Sequence, residues 1–166
     1  MLPHRPDTTD RPQDAPYAGL TPEVVLDALD AVGLRGDGRL IQLNSYENRV
    51  FQVFLEDSRV VVAKFYRPAR WSDAQILEEH AFAAELETHE VPLAAPWPLN
   101  VDARSLHAER LTSLGTTLAS FATEAGPYRF AVTERKAGRA PEVENPEVLE
   151  WIGRFIGRIH AVGAAG

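Results

Sequence analysis

Residues 60–68 read Val-Val-Val-Ala-Lys-Phe-Tyr-Arg-Pro, a run that places a lysine inside an apolar, β-branched segment. Branching at Cβ favours an extended strand, and side chains alternate along a strand. Lys64 therefore shares a face with Val62, and Phe65 lies on the other face. An ammonium among valines needs a compensating anion, because an isolated buried charge is costly. That anion is a carboxylate, a ligand phosphate or both. The alternative is an edge-strand lysine whose stem packs while its charged end reaches water.

The segment after this strand supplies a candidate carboxylate. Ser72 followed by Gln75 is a capping-box pattern, which predicts a helix from residue 73 to about residue 87. Helical spacing places Glu79 in an otherwise apolar row, so we expect its carboxylate to face the core. The row consists of Ile76, Glu79, Ala83 and Leu86. A strand lysine followed by a helix glutamate is the ion pair of kinase-like phosphotransferases, in which the lysine contacts ATP phosphates and the glutamate holds the lysine.

Two strands are predicted before the lysine strand, at residues 39–43 and 50–55. The loop between them would cover the nucleotide phosphates, but it contains no glycine and so lacks the G-x-G-x-x-G fingerprint. Its polar side chains are Asn44, Ser45 and Asn48, which together with backbone N–H groups can bond phosphate oxygens. The alternative interpretation is an ordinary polar hairpin loop.

Four segments, in the expected order, closely resemble the bacterial stress response kinase A family. These proteins are Ser/Thr protein kinases in the aminoglycoside-phosphotransferase-like branch of the kinase fold. The segments are LNSYENR at 43–49, VAKFYRP at 62–68 with Arg70-Trp71, ILEEH at 76–80, and WIGRFIGRIH at 151–160. The resemblance covers residues 17–163, with an interruption near residues 107–127.

The resemblance implies a set of nucleotide-binding residues. The implied ATP phosphate-binding residues are Lys64, Glu79, Asn44, Ser45 and Asn48. The implied adenine pocket, including the hinge at residues 133–137, consists of Val50, Val62, Thr133, Glu134 and Arg135. ATP and Mg²⁺ are the implied cofactors. The implied reaction transfers the γ-phosphate of ATP to Ser or Thr of a protein substrate in a bacterial stress response.

The expected fold is α+β: a kinase-like N-terminal lobe with a mainly antiparallel sheet packed with a helix, plus the first helix of a second lobe. We expect a flexible tail at residues 1–16, an ATP-binding lobe at 17–134, a hinge or linker at 135–145 and the start of a truncated second lobe at 146–166. An extra segment at about 107–127 is predicted as a surface helix, a partner-docking element or a self-packed loop. Its helix-compatible apolar residues are Leu111, Leu114, Leu118 and Phe121.

Kinase-like transfer needs a catalytic aspartate and Mg²⁺ ligands. Downstream of Lys64 the only aspartates are Asp73 and Asp102, and neither lies in a His-Gly-Asp or Asp-Phe-Gly setting. We therefore expect the catalytic and metal-binding residues to lie beyond Gly166, and this chain alone to be inactive. Two alternatives stay open: the lobe of an aminoglycoside- or choline-type small-molecule kinase, and a noncatalytic nucleotide-sensing or docking module.

Composition indicates a cytoplasmic protein without a metal site. There is no cysteine, and the five histidines are scattered, so His80 and His160 are predicted to be helix-packing or surface residues. A net charge of −7 argues against nonspecific binding to nucleic acid and to anionic membranes. No apolar run approaches the roughly twenty residues that span a bilayer.

Overall fold

The computed structural model describes residues 15–138 and 140–165, which form an α+β fold with three α-helices and six strands. The helices are α1 (Pro22–Asp30), α2 (Asp73–Thr88) and α3 (Pro146–Gly163). The strands are β1 (Gly36–Leu43), β2 (Arg49–Leu55), β3 (Val60–Phe65), β4 (Leu111–Ser113), β5 (Ala119–Thr123) and β6 (Gly126–Glu134). Of the predicted tail, residues 1–14 lie outside the described residues, and Ala15–Tyr17 form a 3-10 turn.

The strands form one antiparallel sheet in the order β1-β2-β3-β6-β5-β4, as the sequence predicts for this fold class. The lysine strand β3 therefore lies in the interior of the sheet, between β2 and β6. In the register, Lys64 is opposite Val50 on one side and Ala131 on the other. Lys64 is thus not an edge-strand residue, which removes the alternative considered for it.

The two faces of the sheet are covered by different helices. Alternate residues of the central strands, such as Phe65 and Phe130, pack with α1 in the main hydrophobic core. The opposite face carries Lys64 and Ala131. There α2 packs through Ile76, which is buried with Ala131 and Leu118. Lys64 and α2 therefore lie on the same side of the sheet.

Helix starts follow the capping residues that the sequence contains. Thr21 Oγ1 accepts a hydrogen bond from Val24 N at the start of α1. At α2 the capping box is complete, because Ser72 Oγ accepts from Gln75 N (3.2 Å) while Ser72 N donates to Gln75 Oε1 (3.0 Å). Such caps satisfy N–H groups that have no partner within the helix.

The helix considered for residues 107–127 is wrong. Two of the apolar residues that suggested it, Leu111 and Phe121, belong to the short strands β4 and β5 that extend the sheet beyond β6, and Leu114 and Leu118 lie in the turn between these strands. Phe121 enters the main core and Leu118 packs under α2, both fully buried. Spacing of three and four residues was compatible with a helix, but pairing with β6 and β4 makes β5 an interior strand in which Phe121 is fully buried.

Helix α3 packs along α2 and leaves one side exposed. Leu86, Val91 and Val162 form a small core between the two helices. The exposed side carries three large apolar side chains that are about half accessible: Leu149, Trp151 and Ile156. Among the described residues, no helix is both long and apolar enough to cross a membrane.

Candidate nucleotide-binding site

The predicted lysine–glutamate pair is present on the α2 side of the sheet. Lys64 Nζ lies 3.2 Å from Glu79 Oε1, within the distance for a salt bridge. The Lys64 ammonium also lies 4.7 Å from the centre of the Tyr66 ring, a cation–π distance. The lysine is therefore held by a carboxylate and an aromatic ring while a third of its side chain stays accessible to a ligand.

The predicted burial of Glu79 is wrong. Its side chain is 62% exposed, and the buried residues of α2 are Ile76, His80 and Leu86. Ile76 and Leu86 of the predicted row are buried, but His80 rather than Glu79 points into the helix–sheet interface. Glu79 lies at the rim of that interface, where it still reaches Lys64.

A partly exposed strip runs along the sheet beside Lys64. Val50 is directly opposite Lys64 on β2, and Val62 is opposite Thr133 on β6, so all four side chains share one face. Val50, Val62 and Thr133 are each half-buried. A lysine beside two branched apolar side chains at the surface of a sheet can receive a phosphate on the first and a planar apolar group on the others.

Thr133 and Glu134, two of the predicted hinge residues, lie on opposite faces of the sheet. Glu134 is paired with Val61, whose side chain lies on the core face of the sheet. The Glu134 carboxylate forms an ion pair with Lys136 Nζ at 2.5 Å. Arg135 N donates to Val60 O at 3.4 Å. Within the predicted hinge at residues 133–137, the strand register therefore places Thr133 on the same face as Lys64 and Glu134 on the opposite face.

The predicted phosphate-covering loop lies between β1 and β2 and is tied to the connection between β3 and α2. Asn48 Oδ1 accepts from Arg67 N at 3.2 Å. Glu47 bonds Arg70 Nε at 2.6 Å, and its carbonyl accepts from the Tyr17 hydroxyl at 2.7 Å. A loop without glycine is thereby fixed by side-chain bonds.

The remaining polar residues of this loop are open to solvent. Asn44 and Ser45 are exposed. Glu47, which was not among the site residues predicted from the sequence, forms an ion pair with Arg70. The sequence signal that could have indicated Glu47 is its charge: it is an acidic residue in the β1–β2 loop, and the segment after β3 carries the basic residues Arg67 and Arg70.

A buried polar chain lies directly behind the ion pair. The Tyr66 hydroxyl is 2.7 Å from His80 Nε2, and His80 Nδ1 is 2.8 Å from Thr117 Oγ1. Burial raises the pKa of Tyr66, with the Glu79 charge adding to the effect, so its hydroxyl keeps its proton. Burial also lowers the pKa of His80. The prediction that His80 is a helix-packing residue is confirmed, but sequence alone did not reveal its two partners.

The described residues contain no group of three or more His, Asp or Glu side chains that could hold a metal ion. The two aspartates downstream of Lys64 are both engaged elsewhere, Asp73 with Arg129 (2.8 Å) and Asp102 with Arg104 (3.0 Å). In the described part of the chain, Lys64 thus offers a cation that a phosphate could meet, and no cluster of acidic or histidine side chains is assembled for Mg²⁺.

Residues 39–166 match the phosphotransferase enzyme family known as APH. The chain belongs to this family. It is 44% identical over 147 residues to stress response kinase A of Escherichia coli (strain K12). It is 43% identical over the same length to the serine/threonine protein kinase RdoA of Salmonella typhimurium (strain LT2). Each match covers 89% of this chain and 39% of the relative, so the chain spans about two fifths of the length of these relatives.

A solved member of the same fold is amicoumacin kinase hAmiN, in complex with AMP-PNP, Ca²⁺ and Ami. It superposes with a TM-score of 0.61 over 84% of this chain and 39% of that chain, at 21% identity. The agreement confirms the kinase-like fold expected from the sequence, including the antiparallel sheet with α2 beside it.

Proposed function

We propose that this chain forms the ATP-binding lobe of a kinase that transfers the γ-phosphate of ATP to Ser or Thr of protein substrates in a bacterial stress response. The observation that carries the proposal is the 3.2 Å contact between Lys64 Nζ and Glu79 Oε1 on an interior strand and its neighbouring helix. The 43% identity to the serine/threonine protein kinase RdoA favours a protein acceptor.

In this proposal Lys64 binds the ATP phosphates and Glu79 orients Lys64. The exposed residues Asn44 and Ser45 meet the phosphates from the loop above, while Asn48 helps to hold that loop. Charge on the transferred phosphoryl group must be balanced, and a preorganised ammonium does this without further rearrangement.

The adenine ring would lie on the strip beside Lys64. Val50 and Val62 offer apolar contacts, and the β6 end at Thr133 offers backbone groups, with Glu134 and Arg135 continuing the hinge. The half-buried state of these valines supports the assignment, because an adenine face would remove their remaining apolar surface from water.

Mg²⁺ supplies charge neutralisation at the phosphates in this class of reaction. Its ligands and the catalytic aspartate are proposed to lie outside these 166 residues, since Asp73 and Asp102 are both paired with arginines. The remaining three fifths of the length of the relatives is the proposed source. We therefore expect the 166-residue chain alone to bind nucleotide weakly and to transfer no phosphate.

The test is a radiolabelled-ATP assay on the 166-residue chain beside a version extended to the length of the relatives. A Ser/Thr-containing protein acceptor and an aminoglycoside are offered separately. The proposal predicts label on protein Ser or Thr, from the extended version only, and loss of label in Lys64→Ala. Arg104→Ala, which removes an exposed cation that is paired with Asp102, is the control and should retain transfer.

The alternatives give different results in the same assay. Label on the aminoglycoside alone would favour a small-molecule kinase. Nucleotide binding without any transfer would favour a noncatalytic sensing module. Lys64-dependent transfer by the 166-residue chain would contradict the division of roles, because the catalytic groups would then lie among residues that are paired in the structure.

A further inference from the structure

The chain of Tyr66, His80 and Thr117 joins three parts of the lobe that are distant in sequence. Tyr66 directly follows the lysine strand, His80 directly follows Glu79 on α2, and Thr117 lies between β4 and β5. The two hydrogen bonds of the chain, at 2.7 Å and 2.8 Å, occupy both ring nitrogens of a histidine that is only 4% exposed.

The chain and the ion pair connect the same two elements with different strength. Lys64 and Glu79 are accessible to water, and exposed ion pairs contribute little to holding two elements together. Tyr66 and His80 are buried, so separating them would leave polar atoms without partners in the interior. Of the two connections, the buried one resists displacement of α2 more strongly.

The turn between β4 and β5 packs against α2 beside His80. Gly115 lies so close to α2 that a Cβ on it would approach Leu77 Cδ2 to 2.7 Å. Two residues after Gly115, the Thr117 hydroxyl forms a hydrogen bond with His80 Nδ1. The segment at 107–127 therefore contacts the helix that carries Glu79 through both packing and a hydrogen bond.

We propose that Tyr66, His80 and Thr117 are positioning residues that hold α2 so that Glu79 reaches Lys64. Tyr66 also helps to position Lys64 directly, because its ring contacts the Lys64 ammonium while its hydroxyl is hydrogen-bonded to His80. The segment at 107–127 thereby gains a role in the site, through Thr117. The consequence for nucleotide binding rests on the proposed function, whereas the placement of α2 does not.

The placement of α2 can be measured directly because the chain has no cysteine. Spin labels are attached at Glu78→Cys, exposed on α2, and Gln42→Cys, exposed on β1, and their distance distribution is recorded by pulsed electron resonance. Thr117→Val removes the hydroxyl with little change of shape, and Thr117→Ser keeps it. Thr116→Val changes the exposed neighbour on the same turn and is the matched control.

The proposal predicts a broadened or displaced distance distribution in Thr117→Val and in Tyr66→Phe. It predicts the parent distribution in Thr117→Ser and Thr116→Val. Circular dichroism confirms that each variant is folded, and Tyr66→Phe gives a second variant should Thr117→Val unfold. An unchanged distribution in both folded variants would overturn the proposal, as would an equal change in Thr116→Val.

Affinity for AMP-PNP, measured by calorimetry on the same unlabelled variants, separates this proposal from the proposed function. Thr117→Val should weaken binding by roughly two- to tenfold, the range that one hydrogen bond contributes, and Thr117→Ser should restore it. Absence of binding by the parent chain would count against the proposed function alone, since the distance measurement would still decide the placement of α2.

Discussion

At the scale of single residues, the position of the Lys64 ammonium is set by the side chains that contact it. An interior strand and an aromatic ring fix the stem and the ammonium, and Glu79 supplies the counter-charge from an exposed position. Because both charges remain partly in water, the pair contributes orientation more than stability.

Glu79→Gln should therefore leave the fold nearly unchanged while weakening nucleotide binding. We expect the free energy of unfolding to change by less than about 1 kcal/mol, the range for exposed ion pairs. AMP-PNP affinity should fall because the lysine loses its partner. Glu78→Gln, the exposed neighbour on the same helix, is the control for both measurements. A large loss of stability specific to Glu79→Gln would contradict the exposed position of its side chain.

The buried histidine predicts how stability depends on pH. Burial lowers the pKa of His80 below its ordinary value of 6.5 in the folded state, with Lys64 acting in the same direction and Glu79 against it. The unfolded chain then binds a proton more readily than the folded chain, so the free energy of unfolding falls as pH decreases through about 6.5. Urea denaturation at about pH 7.5 and pH 5.5 measures the fall, and His80→Gln should reduce it. An identical fall in that variant would assign the effect to other groups.

At the scale of elements, the sequence predicted what depends on local pattern. The capping box at Ser72 and the alternation around Lys64 fixed the start of α2 and the face of β3, and both agree with the structure. The burial of Ile76 and Leu86 was predicted correctly, but Glu79 was placed in their row instead of its neighbour His80, because spacing alone does not tell which of two adjacent residues meets the sheet. Strand β5 was missed because its stability comes from pairing with β6, a contact that no local pattern records.

Because the chain pairs beyond β6 through β5, Leu118, which directly precedes β5, becomes a core residue. Truncating its side chain should therefore lower the stability of the fold considerably. Leu118→Ala should reduce the free energy of unfolding by roughly 2–5 kcal/mol, because the side chain is fully buried with Ile76 and Ala131. Leu106→Ala, in the preceding exposed loop, should change it by less than about 0.5 kcal/mol. Urea titration followed by circular dichroism gives both values. Equal effects would restore the interpretation of this segment as a surface insertion.

At the scale of the whole molecule, α1 closes one face of the sheet while α2 and α3 lie on the other. Leu149, Trp151 and Ile156 extend an apolar surface along α3 that the described residues do not cover. Apolar surface of this kind favours association.

The 166-residue chain should therefore self-associate as its concentration rises. Ile156→Ser removes exposed apolar surface and should lower the association measured by light scattering or sedimentation. Ala161→Ser, an exposed position on the same helix with little apolar area, is the control and should behave as the parent. A monomer at all concentrations in the parent chain would contradict this expectation.

The central claim is that Lys64 binds nucleotide phosphate, and calorimetric titration of the 166-residue chain with AMP-PNP tests it most directly. Parent, Lys64→Ala and Arg104→Ala chains are compared at low salt, where a charge–phosphate contact is least screened. We expect weak binding by the parent chain, retained in Arg104→Ala and lost in Lys64→Ala. Equal binding by all three chains would contradict the assignment of Lys64 to the phosphates of ATP.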